Sequence, residues 1–426
     1  MKVLVVGSGG REHALCWKLA QSPALSELYC APGNPGIEES ASLVDLSADD
    51  VPGLVDFAVS NAIDLTVVGP EVPLTLGLAD ALTARGCAVF GPDRYAAQLE
   101  GSKVFAKEFM QRQGIATADF VVVDDIEAAR TAVARFGLPV VLKADGLAAG
   151  KGVLIPQNEE ELEGALTALF TERRFGSSSD RVVVEECLVG EEVSLIAISD
   201  GHRLQRFVTA KDYKRIGEGD TGPNTGGMGS HSPSGVLAES DAGSMAEAVL
   251  QPIIDGMAAD GHPFVGVLYG GLMLTEDGPR VLEYNVRFGD PECQPLMLRL
   301  EGDLLPVLAA AAAGDFGDRE LGFDAGASAC IVLANAGYPE APTKGDVIRG
   351  LDDGSAITDS VVFHAGTSRD GEGAVVASSG RVLGVCARGS DLQTALRLAY
   401  ERADTISWPA KRLRRDIGAR VLSVLG

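Results

Sequence analysis

The chain has 426 residues, 46% of them hydrophobic and 23% charged, with a formal net charge of −24. That length supports roughly two to four domains with separate cores. So acidic a surface repels a nucleic-acid backbone, and any phosphate site has to be made locally from loop amides and a few chosen cations. The apolar run Leu304 to Ala313 is too short to cross a bilayer, and the amino terminus reaches Gly7 and Arg11 without a signal-like core. The seven cysteines show neither a CxxC pair nor a metal-ligand spacing, as expected of small thiols in a reducing cytoplasm.

Lys2 to Val6 is an apolar run ending at Gly7-Ser8-Gly9-Gly10, and a helical pattern follows from Arg11. Strand, glycine loop and helix aim backbone N–H groups at an anion. A dinucleotide fingerprint GxGxxG would place a small residue where Glu12 stands, which argues against a nicotinamide cofactor. The same rhythm returns at Glu27 to Ala31 before Asn34, at Leu65 to Val68 before Glu71, and at Ala88 to Phe90. These segments predict a doubly wound parallel sheet over residues 1–101. Glu71 reads either as a group receiving a polar substrate or as an acid at a helix N-terminus.

From Ser102 the pattern turns to α+β. Ser102 caps a helix carrying Lys103 and Lys107 one turn apart, ordinarily a solvated face. An apolar strand then delivers Lys143 to a glycine-rich turn holding Gly146, Gly150, Lys151 and Gly152. Such a flap can fold over a polyphosphate, although it lacks the Ser or Thr of a Walker A loop. Glu185, Glu186 and Leu188 sit at a strand end that could read an adenine edge, with Glu192 near ribose hydroxyls; a plain acidic surface corner is the competing reading. Residues 211–233, which include Lys211 and Asp212, hold six glycines and are expected to form an irregular lid over a charged substrate. Single helices are predicted over 239–258 and 294–313. Between them, two strands joined at Glu276 to Pro279 put Glu283 and Asn285 on one face, about 7 Å apart by strand rise. One anionic and one neutral oxygen at that spacing suit Mg2+, which keeps places for waters and phosphates. The last hundred residues mix short strands with a helix over 392–405, and no constellation there reads as chemistry.

The motifs GSGGREHAL, APGN, VGPE, LEGSK, KADGLAAGKGV, TGPNTGGMG, LYGGLM, EYNVRFGDPE, FHAGT and DIG occur in this order. The set resembles the phosphoribosylamine–glycine ligase family of the ATP-grasp superfamily, from residue 1 to about residue 420. The resemblance implies a multidomain α/β and α+β chain: an amino-terminal substrate domain (1–101), an ATP-grasp domain (102–324) with a lid subdomain near 119–190, and a carboxyl-terminal α+β domain (325–426). It implies ATP, glycine and 5-phosphoribosylamine as substrates, Mg2+ or Mn2+ at Glu283 and Asn285, and a monomer rather than a dimer. By the same resemblance Lys107, Lys143 and the 146–152 flap hold phosphates, while Glu185, Glu186, Leu188 and Glu192 hold the nucleoside. Arg287 is expected to meet the glycine carboxylate or the acyl-phosphate transition state, and Asp290 the amine. Gly9, Asn34, Glu71, Lys211 and Asp212 are expected to receive phosphoribosylamine. Where many ATP-grasp chains carry a further metal ligand, this one has Leu272-Met273-Leu274.

Overall fold

The computed structural model describes residues 1–147, 152–352, 357 and 359–425. The first sheet is parallel throughout, in the order Ser42–Leu43, Glu27–Pro32, Lys2–Gly7, Leu65–Val68, Val89–Phe90. Alternation divides the central strand between two cores. Leu4 and Val6 pack with Leu54, Leu78 and Leu82, while Val3 and Val5 pack with Leu15 and Leu19 from the opposite side. Strand order reverses beside Lys2–Gly7, so the loops after Gly7 and Val68 open a crevice at the strands' carboxyl ends.

The lid is an antiparallel sheet ordered Phe120–Val123, Val182–Glu186, Val140–Ala144, Val153–Leu154. Its core includes Ala129, Ala132 and Val133 of one helix and Leu162 and Leu166 of another. Facing it is a second antiparallel sheet, ordered Leu204–Arg206, Glu191–Asp200, Val265–Thr275, Gly278–Asn285. A bulge beside Leu272 shifts the register of the last pair.

Residues 211–233 are more regular than expected. Lys211–Asp212 and Gly229–Ser232 pair with each other, and the latter also pairs with Ala327–Asn335. Both thus join the carboxyl-terminal sheet, which continues through Arg381–Gly389 to Ser360–His364. Between them Arg215–Gly217 and Thr221–Asn224 form a hairpin. Gly229–Ser232 is held by the distant strand Ala327–Asn335 and the others are two to four residues long, so no local apolar periodicity announces them. The two long predicted helices are each broken. Pro252, at the start of Gln251–Ala259, lacks the N–H needed to continue Glu239–Val249. Cys293–Arg299 yields to the short strand Leu300–Glu301 and to Gly302 at φ +75° before Asp303 caps Leu304–Ala312. Among the described residues no helix is long and apolar enough to cross a membrane.

Three buried histidines sit where segments meet. His13 accepts the His364 amide at 2.8 Å, and Asn34 donates to the His364 carbonyl at 2.9 Å, joining the first domain to the last. His231 stands 3.1 Å from the Tyr213 hydroxyl. Burial holds His13 near a pKa of about 3 and His231 and His364 near about 4, with Arg369 adding to the effect at His364. The folded chain keeps these rings neutral at pH values where the unfolded chain, with ordinary histidines near about 6.5, has bound protons. Their contribution is therefore complete above about pH 6.5 and is lost as pH falls toward the folded values. Thermal melting should move down between about pH 7 and about pH 5. His13→Gln, which keeps an acceptor for the His364 amide, should make that shift shallower; identical slopes in the two proteins would contradict it.

Candidate active site

A cleft of about 700 Å3 lies between the lid sheet and the hairpin Val265–Asn285. Tyr284 turns away from it, its hydroxyl donating to the Val249 carbonyl, so its neighbours Glu283 and Asn285 face inward. Glu283 lies 3.5 Å from the Lys214 ammonium and 3.9 Å from that of Lys103. Burial works against its ionisation, but Lys214, Lys103 and Lys143 outweigh it and bring the carboxyl down to about 2. Asn285 Oδ1 accepts from Arg287 at 3.2 Å. An ionised carboxylate beside an amide oxygen fits a hard divalent cation that takes its other ligands from phosphate and water. Among the described residues no group of three or more His, Cys, Asp or Glu could hold a metal by itself, which agrees with so short a donor set.

Lys107 and Lys143 converge on opposite oxygens of Glu185, all three side chains being buried. Glu185 and Lys143 come from adjacent lid strands, on the same face. Lys107 also donates to Thr117 Oγ1 at 2.7 Å, and Lys143 to the Leu282 carbonyl at 3.0 Å. Burial, reinforced by Lys143 and opposed by Glu185, lowers Lys107 to about 8. Lys143 and Glu185 line the cleft; Lys107 stands behind them and is 2% exposed. Gly146 and Gly152 border the same space, and Gly150 and Lys151 lie outside the described residues. Glu186, Leu188 and Glu192 line it too, Glu192 being 3.4 Å from Lys214.

At the other end Arg287 is gripped by Glu100 at 2.7 Å and Glu71 at 3.3 Å. Asp290 faces Arg381 at 3.3 Å and accepts from Gln294 at 2.9 Å. Burial opposes ionisation of Asp290, yet Arg381 and Arg11 keep its carboxyl below the usual range. Lys211 pairs with Glu191 at 2.8 Å. Asp212 is different: its buried Oδ1 has no hydrogen-bond partner among the described residues, and burial together with nearby Glu292 pushes its carboxyl well up.

Two expected substrate residues are not in the lining of this cleft. Asn34 uses every hydrogen-bonding position within the protein, donating to the Ser8 and His364 carbonyls and accepting from Gly36 and Ile37, so its side chain has none left for a ligand. Gly9 gives its amide to Glu12 at 2.6 Å. The Glu12 carboxylate also fills the space over Gly7 and Gly69, occupying the place where a dinucleotide would need open backbone. Lys214, Arg381, Arg11, Glu100 and Arg420 also line the cleft and escaped the sequence reading. Lys214 had a signal, standing two residues from Asp212, and Arg11 and Glu100 lie within the motifs GSGGREHAL and LEGSK.

A parallel domain followed by two antiparallel sheets closing on a cation-lined cleft is the ATP-grasp architecture. The biotin carboxylase of Campylobacter jejuni, solved with β,γ-ATP, shares that fold with a TM-score of 0.73 at 15% identity, covering 96% of this chain and 92% of that one. The chain belongs to the phosphoribosylglycinamide synthetase family: the N domain matches residues 1–100, the ATP-grasp (A) domain 101–293 and the C domain 328–420. It is 50% identical to the phosphoribosylamine–glycine ligase of Caulobacter vibrioides and 46% identical to that of Yersinia pestis, over 99% of each chain. The crystal structure of the Thermotoga maritima phosphoribosylamine–glycine ligase superposes with a TM-score of 0.85 at 35% identity, covering 98% of this chain and 100% of that one.

Glu185 is the one carboxylate between two buried ammonium groups. Glu185→Gln should destabilise the protein by about 3 kcal/mol, measured by urea unfolding. Adding Lys107→Met should recover part of the loss; an unchanged or larger loss would show that the charge cluster is not the cause.

Proposed function

We infer that the chain joins glycine to 5-phosphoribosylamine at the expense of ATP, giving glycinamide ribonucleotide, ADP and phosphate in purine synthesis. Full-length identity to ligases of that name supports the reaction. The observation that carries the chemistry is the convergence on one cleft of Glu283, Asn285, Lys143, Arg287 and the unpartnered Asp212. We divide the labour at residues 101 and 324, with a lid near 119–190, and read the enzyme as a cytoplasmic monomer.

A carboxylate is a poor electrophile. One oxygen of glycine therefore attacks the γ-phosphorus, the bond from that phosphorus to the β-bridging oxygen breaks, and ADP departs, leaving glycyl phosphate. The phosphoribosylamine nitrogen then attacks the acyl carbon and phosphate leaves. Both steps depend on alignment and charge neutralisation. Glu283 and Asn285 would hold Mg2+ or Mn2+, which neutralises phosphate charge when bound. Lys143 meets the phosphates directly, and Lys107 supports it through their shared Glu185. Gly146 and Gly152 border them, while Glu185, Glu186 and Leu188 border adenine and Glu192 the ribose. Arg287, fixed by Glu71 and Glu100, orients the glycine carboxylate. Asp290 holds the amine, and Asp212, with its raised proton affinity, is placed to take the proton that the amine sheds. Glu71 and Lys211 complete the phosphoribosylamine end.

ADP release should require glycine together with phosphoribosylamine generated in place. Glu283→Ala should lower kcat at least about a hundredfold while melting as a folded protein. ADP release that ignores glycine would identify an ATPase or a nucleotide sensor, and substantial activity in the variant would remove Glu283 from the metal site.

A further inference from the structure

The wall of the cleft formed by residues 211–226 is weakly built. The hairpin Arg215–Gly217 and Thr221–Asn224 is largely exposed, and Gly219 and Asp220 at its tip take φ of +66° and +55°. Lys214, Arg215, Asp220 and Asn224 nonetheless line the cleft. What fixes them comes from the far end of the chain. Arg414, 1% exposed, donates to the Arg215 carbonyl at 3.0 Å and to Asp220 at 2.9 Å. Two further nitrogens of the same guanidinium meet both oxygens of Asp416, at 2.8 and 2.7 Å, in a two-pronged pair. Asp416 accepts the Gly219 amide at 2.8 Å, and Glu218 accepts the Arg415 amide at 2.9 Å. The Gly418 amide donates to Tyr213, whose ring lies 5.3 Å from the Arg414 guanidinium carbon. Arg420 pairs with Glu191, which also holds Lys211.

We propose that Arg414 is a positioning residue for the ligase reaction: clamped to Asp416, it fixes the 213–224 hairpin from behind, so that Lys211, Asp212 and Lys214 stand at the reacting groups. The Asp-Ile-Gly motif at 416–418 supplies the other half of that clamp, and the carboxyl-terminal domain thereby shapes a cleft otherwise built by the ATP-grasp sheets. The proposal rests on the assignment of Lys211, Asp212 and Lys214 to that cleft. Lysine cannot reproduce the planar, multiply donating fork, and misplacing a catalytic group by about 1 Å can cost up to about a hundredfold in rate.

Arg414→Lys keeps the charge and breaks the fork. Trypsin cleavage after Lys214 or Arg215 in the native protein should become about tenfold faster. The kcat/KM for ADP release should fall about tenfold or more. In a Lys214→Ala background the same substitution should cost clearly less of kcat/KM than it does in the wild type, because one of the groups it positions is already gone. Unchanged cleavage, or the full loss persisting without Lys214, would overturn the proposal. If Arg414→Lys melts below the assay temperature, Asp416→Asn breaks the same clamp from its more exposed partner and is judged by the same outcomes. Cleavage needs no substrate, so a wild-type chain that released no ADP would refute the assigned reaction and leave the clamp to be decided by trypsin.

Discussion

Two buried ammonium groups share one carboxylate at the seam between the lid and the body, and the rest of the site is arranged around that contact. Lys143 and Glu185 belong to lid strands, whereas Lys107 comes from the helix Lys103–Arg112 of the body. Their outer hydrogen bonds run to the Leu282 carbonyl and to Thr117, which itself donates to the Val281 carbonyl at 2.6 Å. The cluster therefore ties the lid to the strand that carries Glu283 and Asn285. It adds little net stability. A charge pair at about 4 Å gains about 4 kcal/mol in an effective dielectric of about 20, while each ion gives up several kcal/mol on leaving water. With terms that nearly cancel, the effect that remains is geometric.

The same logic extends along the cleft wall. Lys211 is held by Glu191, Lys214 by Glu192 and Glu283, Arg287 by Glu71 and Glu100, and Arg381 by Asp290. A chain with net charge −24 attracts no polyanion by its overall field. Its cleft is lined instead by cations already immobilised by carboxylates. Side-chain ordering is then complete before binding, which is the economy that preorganisation provides.

How far the sequence could be read depended on how local the cause was. Four strands of the parallel sheet were legible because each is a largely apolar run closed by a glycine turn, whereas the exposed edge strand Ser42–Leu43 has neither feature. Glu283 and Asn285 were legible because alternation alone puts them on one face, and the bulge beside Leu272 leaves that alternation intact. Residues 211–233 were not, since strands of two to four residues owe their existence to partners such as Ala329 and Cys330. Arg381, Arg414 and Arg420 gave no signal for the same reason: each acts on a segment at least 91 residues away. Asn34 and Gly9 are engaged within the protein. A glycine loop and an asparagine at strand ends match the pattern of a ligand site, yet Glu12 and the His364 backbone had already taken their hydrogen bonds.

Asp212 differs from the paired groups around it, and that difference bears on selectivity. Its inner oxygen is shut away from solvent with no donor among the described residues, and Glu292, which accepts from Ser194 at 3.3 Å, adds like charge beside it. A buried acceptor without a donor leaves a desolvation penalty uncompensated. A cationic or hydrogen-bond-donating nitrogen relieves that penalty, whereas a hydroxylic or anionic group of the same size relieves less of it or adds to it.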